Sequence, residues 1–551
     1  MTTNHNEILT ENKQTQFYRI LVILSLLLMV SCNSTQKDGT VNESNASDLS
    51  TTTQFDIVIN NGRVIDPESK LDAIRNVGIL NGKVGLITEQ SISGKETIDA
   101  TNLIVSPGFI DIHTHSNDIP GQRLQAFDGV TTGLELESGM LPINDWYERM
   151  AKKGAVINYG ASAAWTFARI GAMVEDVEPM KASLAWYLRA FQYDNWVKDV
   201  STDEELKRIL EQLQQGLDEG AIGIGVNSGY APGTGGKELY AVWELAKKNN
   251  VPVSTHIREW SMVDPKSSME GVDTIVGLAA TTCARTNICH NNSTALGDGP
   301  EVIPMLTAAR ESGIDLHAEA YPYGLGSFPV SSAIFMFDHE EFVKRMGADF
   351  TGVRLLNESR NIKDETDIRN EQRSNPGQGV VFTYLDEDNP KDEAALAASL
   401  NPSWIGIASD AVPLVYPNGD FVTTEEWPLP DSANTNPRTA GTFSRFMGKW
   451  VREKKIMDWP DAIAKTTLIP AQLFDGMVPS MERKGRLQLG MDADITIFNP
   501  ETITDKSTIT NSLEHSVGVE YLIVNGKLVI NDGEMNFDLR AGKPIRRPVE
   551  N

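Results

Sequence analysis

Short apolar runs recur along this chain in two patterns. Between residues 55 and 105 they are brief and close together: Phe55–Ile59, Arg63–Ile65, Val77–Leu80, Lys83–Ile87 and Leu103–Val105. Asn61-Gly62 and Asn81-Gly82 between them read as hairpin turns. The pattern returns near the C-terminus in Ile495–Phe498, Tyr521–Val524 and Lys527–Ile530, around Asn525-Gly526. Neither half makes a good sheet alone, so residues 55–105 and 481–545 are expected to combine into one small β-sandwich. From 106 to 480 the spacing lengthens. Including the end of the first region, apolar runs fall at 103–112, 129–137, 155–163, 220–226, 251–256, 286–290, 314–320 and 404–409. Helical stretches such as Thr202–Glu219, Glu238–Lys248 and Pro300–Ser312 separate several of them. Eight strands with intervening helices predict an α/β fold of the (β/α)8 TIM-barrel type. Residues from about 325 to 403 form an insertion between the last two strands, expected to act as a lid over the barrel mouth.

The first residues do not fit this pattern. Residues 1–18 are polar, Arg19 follows, and Ile20–Val30 is apolar. Such a run is too short to span a bilayer but suits the core of a signal peptide. Met29-Val30-Ser31 directly before Cys32 resembles a bacterial lipoprotein signal, which implies cleavage before Cys32 and lipidation of its thiol. Residues 33–54, rich in Ser, Thr and Asn, read as a flexible tether. The expected location is therefore the bacterial cell envelope, with membrane contact through the lipid on Cys32. Cys283 and Cys289 are expected to be buried thiols, with a disulfide between them as the alternative. A net charge of −26 disfavours nucleic acid and anionic membrane surfaces as partners.

The candidate chemistry sits at the strand ends. Pro107-Gly-Phe-Ile-Asp-Ile-His113-Thr-His115 closes an apolar run with two histidines spaced i, i+2, which a strand places on one face. His256 and His290 end two further runs, so four of the eight histidines occupy strand ends. That pattern points to a divalent metal. Glu135 and Glu137 share a face of the second barrel strand, where buried carboxylates are costly unless paired or metal-bound. Glu137, nearer the strand end, is the preferred ligand. Arg258 follows His256 at i+2, and its guanidinium suits a substrate carboxylate. His317, Glu319 and Tyr321 share a face of the seventh strand, with His317 deep enough to be a packed core residue. Asp410 ends the eighth strand, placed for proton transfer.

Taken together these residues resemble the amidohydrolase superfamily, and more narrowly its N-acyl-D-amino-acid deacylases (D-aminoacylases and N-acyl-D-glutamate deacylases). The matching pieces are Pro107–His115, Gly129–Thr132, Gly220–Gly223, Thr255–Arg258, His290, Tyr321–Tyr323, Ser409-Asp410, Pro437-Arg438, Gly441–Arg445, Lys484–Asp494 and Val524–Gly526. The resemblance implies a barrel carrying one or two zinc ions on His113, His115, His256 and His290. It also implies metal-bound hydroxide attacking an amide, with Asp410 as acid/base. Three departures stand out. The deacylases place a metal-binding cysteine on strand 2, where this chain has Ser138 beside Glu135 and Glu137, so Glu137 becomes the natural replacement. Asn291-Asn292 follow His290 in place of a lysine that helps hold the substrate carboxylate. Asn436 stands where a histidine usually precedes Pro437-Arg438. The expected activity is deacylation of an N-acyl (D-)amino acid or related carboxylate-bearing amide, gripped by Arg258, Tyr321 and Arg438. The alternative is a metal-dependent dehydratase or lyase acting on uronic-acid-containing oligosaccharides, with Asp410 or His317 removing a proton.

Overall fold

The computed structural model describes residues 49–549. The expected signal segment, Cys32 and most of the expected tether lie outside the described residues. Twenty-one described strands are numbered β1–β21 along the chain. The N-terminal group is β1 (Gln54–Asp66), β2 (Leu71–Leu80), β3 (Lys83–Thr88), β4 (Ser93–Asp99) and β5 (Ile104–Pro107). The C-terminal group is β18 (Ile495–Phe498), β19 (Val519–Val524), β20 (Lys527–Asn531) and β21 (Glu534–Met535). They join as expected, through β18 antiparallel on β5, in one nine-stranded sheet ordered β21-β20-β19-β18-β5-β1-β2-β3, with β4 on β1. Ile57, Ile59, Val77, Ile79, Ile495 and Ile497 share its apolar cluster.

The Asn-Gly pairs behave differently from one another. At Asn81-Gly82 and Asn525-Gly526 both residues have positive φ, as a tight hairpin requires. The two turns pack together so closely that a β-carbon on Gly526 would lie 2.5 Å from Gly82 Cα. Asn61-Gly62 is not a turn. β1 runs straight through it, and its pairing with β2 shifts register between Ile59 and Gly62. The apolar segments on both sides pair with β2, so the one extra residue is absorbed as a bulge.

The barrel strands are β6 (Phe109–Asp111), β7 (Val130–Met140), β8 (Asn158–Ala164), β9 (Ile224–Asn227), β10 (Val253–His256), β11 (Thr286–Ile288), β12 (Leu316–Ala320) and β17 (Ile405–Ile407). They form one parallel sheet in the order β17-β12-β11-β10-β9-β8-β7-β6. Its ends meet where Asp410 N donates to His113 O and His115 N to Ala411 O, each 2.8 Å. Every residue of these eight strands is buried, which is why they read as continuous apolar runs. The run 103–112, expected as one strand, is cut at Gly108. A β-carbon there would sit 2.1 Å from Thr131 Oγ1, and the chain passes from one sheet to the other at that residue.

Between β12 and β17 lies a four-stranded antiparallel sheet of β13 (Leu325–Pro329), β14 (Val353–Leu355), β15 (Arg360–Asn361) and β16 (Gly379–Thr383). Phe335, Phe342, Phe350 and Phe382 form its aromatic core.

The helices follow ordinary rules. Asp203–Asp218 begins with a capping box of Thr202 and Glu205 and buries Ile209, Leu213 and Leu217 at four-residue spacing. Helices Trp165–Met173 and Gly236–Asn249 are joined by a buried ion pair between Arg169 and Glu238. Glu238 also accepts from Trp165 Nε1 at 2.8 Å and Ser201 Oγ at 2.6 Å. Glu238→Ala strands a buried guanidinium. It is expected to cost about 3–5 kcal/mol of stability, read as a lowered chemical-denaturation midpoint.

Cys289 is a buried free thiol. Cys283 is half-buried at a helix C-terminus with a φ of 55°, so the expectation of two buried thiols holds for Cys289 alone. Among the described residues no helix is long and apolar enough to cross a membrane.

Candidate metal centre

The mouth of the barrel gathers the strand-end residues. His113 and His115 follow β6, with their Nε2 atoms 3.3 Å apart. Asp111 anchors this corner, accepting from His113 N at 3.1 Å, Ser409 N at 3.0 Å and Gln125 Nε2 at 3.1 Å. His113 Nδ1 meets Glu319 Oε1, and His115 Nδ1 lies 2.8 Å from Glu135 Oε1. Each carboxylate accepts a hydrogen bond from Nδ1–H, the tautomer that leaves the Nε2 lone pair facing the centre.

Glu137 connects the two halves of the site. Its Oε2 lies 3.6 Å from His113 Nε2 and 3.5 Å from His115 Nε2. Its Oε1 lies 2.7 Å from His256 Nδ1 and 3.0 Å from His290 Nε2, and those two nitrogens are 2.9 Å apart. Asn227 Nδ2 donates to Oε2 at 2.8 Å and fixes the carboxylate. Asp410 Oδ1 completes the first group, 3.5 Å from Nε2 of both His113 and His115. His290 and Asp410 have positive φ, 33° and 47°. Strained backbone of this kind clusters at functional sites.

This donor set fits a divalent cation. Two ligands held about 2.1 Å from a tetrahedral ion are about 3.4 Å apart. The first group shows contacts of 3.3–3.6 Å. The second group, with contacts of 2.7–3.0 Å, is more compact. Asp111, Glu135, Glu137, Glu319 and Asp410 are all buried around four imidazoles, a carboxylate excess that calls for positive charge. Burial opposes ionisation throughout, yet His113 and His115 are pushed well above the usual imidazole range by Glu319, Asp410 and Glu137 and by Glu135 respectively. Burial raises Glu137 as well, but His256 and His113 outweigh it and hold the carboxyl well below its ordinary value.

Above the histidines opens a cavity of about 290 Å³ lined by His115, Glu137 and Asp410 and by Tyr187, Tyr230 and Phe328. Leu356, Asn357 and Gln378, from the insertion between β12 and β17, also line it. Arg438 is fully buried, with Nη1 2.9 Å from Asp410 Oδ2 and its guanidinium stacked 4.0 Å over the Tyr321 ring. None of its nitrogens makes an aligned hydrogen bond, and the Tyr321 hydroxyl is likewise unpaired. Neither residue lines the cavity itself, which Arg438 borders through Asp410; buried donors left open in this way suit an anion.

Two sequence candidates lie elsewhere. Arg258 is tied to Thr234 O at 2.7 Å and pairs with Glu259, outside the cavity lining. β10 ends at His256, so strand alternation no longer aims the residue two positions on. His317 lies 3.5 Å from Asp315 at the start of β12, at the opposite end of that strand from Tyr321. Glu319 is a site residue that the sequence reading left unassigned. The signal was present, since it is another carboxylate inside a buried strand, like Glu135 and Glu137. Glu319→Gln is expected to weaken divalent-metal affinity about 10–100-fold, measured by chelator competition.

The chain is similar over most of its length to proteins of known activity. An N-acyl-D-glutamate deacylase of Alcaligenes xylosoxydans xylosoxydans is 23% identical over 530 residues, covering 90% of this chain and 97% of that protein. The crystal structure of N-acyl-D-glutamate deacylase from Bordetella bronchiseptica, complexed with zinc and a phosphonate inhibitor, superposes with a TM-score of 0.69. It is 21% identical and covers 90% of this chain and 100% of that one. A D-aminoacylase structure described for its binuclear metal centre gives the same TM-score at 20% identity, covering 90% of this chain and 100% of that one. The sequence model of the amidohydrolase family matches residues 96–322 and 422–530, more than half of the chain. By that match and by the fold and site described above, this protein belongs to the amidohydrolase family.

Proposed function

We propose that the protein is a metal-dependent hydrolase that cleaves the amide C–N bond of an N-acyl D-amino acid or a closely related carboxylate-bearing amide. The observation that carries this reading is the convergence of two imidazole pairs on one carboxylate, Glu137, beside a buried arginine with open donors. The relatives' activities support the substrate class, and zinc is the ion expected on His113, His115, Glu137, His256, His290 and Asp410. When bound, such an ion supplies Lewis acidity and brings the pKa of water at the site to about 7.

The chain's own groups do the rest. Arg438, stacked on Tyr321, holds the substrate carboxylate and sets the orientation of the scissile amide. Burial works against an ionised Asp410, but Arg438 and His113 overcome it and keep the carboxylate charged. Kept charged in this way, the carboxylate can accept a proton from the attacking water. As the C–N bond breaks, Asp410 returns that proton to the leaving nitrogen. The cavity walls beside Tyr230 and Phe328 exclude water from the acyl group or side chain seated there.

No feature of the site favours elimination from a uronic-acid sugar. His317, one of its two candidate bases, faces Asp315 away from the mouth. The test is amine release from a panel of N-acetyl-D-amino acids by the zinc-loaded protein. Failure to release amine from every member would contradict the reading. Anchoring through Cys32 is part of the same proposal: Cys32→Ser is expected to shift the protein from the membrane to the soluble fraction of the envelope.

A further inference from the structure

Three of the four clustered histidines have a polar partner on the ring nitrogen that faces away from the cluster. His113 Nδ1 has Glu319, His115 Nδ1 has Glu135 at 2.8 Å, and His290 Nδ1 has Ser293 Oγ at 3.1 Å. His256 is the exception. Its Nδ1 faces Glu137 and His290, while its Nε2 is buried with no hydrogen-bond partner. Backbone closes over that edge of the ring. A β-carbon on Gly229 would come within 2.5 Å of His256 Cδ2 and 2.8 Å of Nε2. No carboxylate or hydroxyl orients this imidazole.

Aromatic surface takes their place. The Trp260 ring lies 4.0 Å from the His256 ring, centroid to centroid, and the Tyr230 ring 4.7 Å from it. Trp260 is itself immobilised: its indole N–H donates to Ile257 O at 2.7 Å, and Phe328 packs 5.0 Å away. Tyr230 meets Trp260 edge-on at 5.9 Å. Trp260 reaches neither the cavity nor the other histidines, so its effect on the centre runs through His256.

We infer that Trp260 is the positioning residue of His256, its indole, packed at a tilt of 41°, holding the imidazole in the rotation that points Nδ1 at Glu137 and His290. The inference rests on the hydrolase reading insofar as it takes these nitrogens to bind a divalent ion. Close ring packing of this kind fixes an imidazole's rotation. Unlike a carboxylate, it does not raise the basicity of the ligating nitrogen.

Cobalt titration of the metal-free full-length protein tests this, with visible absorption and calorimetry as readouts. Wild type is expected to take up two equivalents of Co2+. Trp260→Ala should bind one equivalent as wild type does and the other at least about tenfold more weakly, with altered d–d bands for that equivalent. Trp260→Phe, which keeps an aromatic ring, should restore most of the lost affinity. The inference is overturned if Trp260→Ala binds both equivalents with wild-type affinity and spectrum, or if both weaken equally. If wild type binds no Co2+ at all, the hydrolase reading fails with it. A wild type that binds two equivalents beside an unaltered Trp260→Ala leaves that reading intact and removes this one.

Discussion

Glu137→Ala is expected to abolish hydrolysis, lowering kcat/KM by at least about 10³-fold, and to strip the purified protein of most of its metal. The magnitude follows from what the side chain does. Its two oxygens face four imidazole nitrogens at 2.7–3.6 Å, two from each side. Without it, His256 and His290 lose the carboxylate that touches both of them, and the first group keeps one carboxylate, Asp410. Losing several kcal/mol of ligand and transition-state stabilisation corresponds to three or more factors of ten, each about 1.4 kcal/mol. Metal analysis after dialysis, alongside kcat/KM, checks it. Glu135→Gln is the informative control, because Glu135 touches the centre through His115 Nδ1. That variant should retain activity with reduced metal affinity. A Glu137→Ala protein that kept both its metal and its rate would remove Glu137 from the centre.

Arg438→Met is expected to cost about 10²–10³-fold in kcat/KM on carboxylate-bearing substrates. The guanidinium is fully buried, stacked on Tyr321 and open at its donors, so a substrate carboxylate entering without it would be desolvated with no counter-charge. Arg438 also touches Asp410, so some of the loss will fall on kcat. Comparing each substrate with its C-terminal amide separates the two effects. The wild type should strongly prefer the acid, and Arg438→Met should lose that preference. Arg438→Lys should recover little, since a lysine lacks the planar fork. An undiminished preference for the acid in Arg438→Met would mean that another group holds the carboxylate.

The strand ends made much of this legible. His113, His115, His256 and His290 each close an apolar run, and in a parallel barrel all such ends open on one face, so four residues far apart in sequence had to meet. Glu137 could be preferred over Glu135 because it lies one step nearer that face. The rest depends on where strands stop and which way the backbone turns next. Arg258 carried the right spacing from His256, but β10 ends at that histidine and the alternation ends with it. Asn61-Gly62 carried the right residues for a turn, yet pairing with β2 on both sides makes it a bulge. The role of Trp260 was out of reach, because a ring contact with a residue four positions earlier leaves no periodic mark. The residues of the insertion that line the cavity were equally hidden, since loop and edge positions have no sequence rule for the direction they face.

The measurement that tests the account most directly is product mass spectrometry of the zinc-loaded protein in H2(18)O with N-acetyl-D-amino acids, beside uronic-acid oligosaccharides. The account predicts a free amino acid and an acetate carrying one atom of 18O, with the sugars unchanged. Loss of about 18 Da from a sugar, with no amide cleaved, would mean that the site performs elimination.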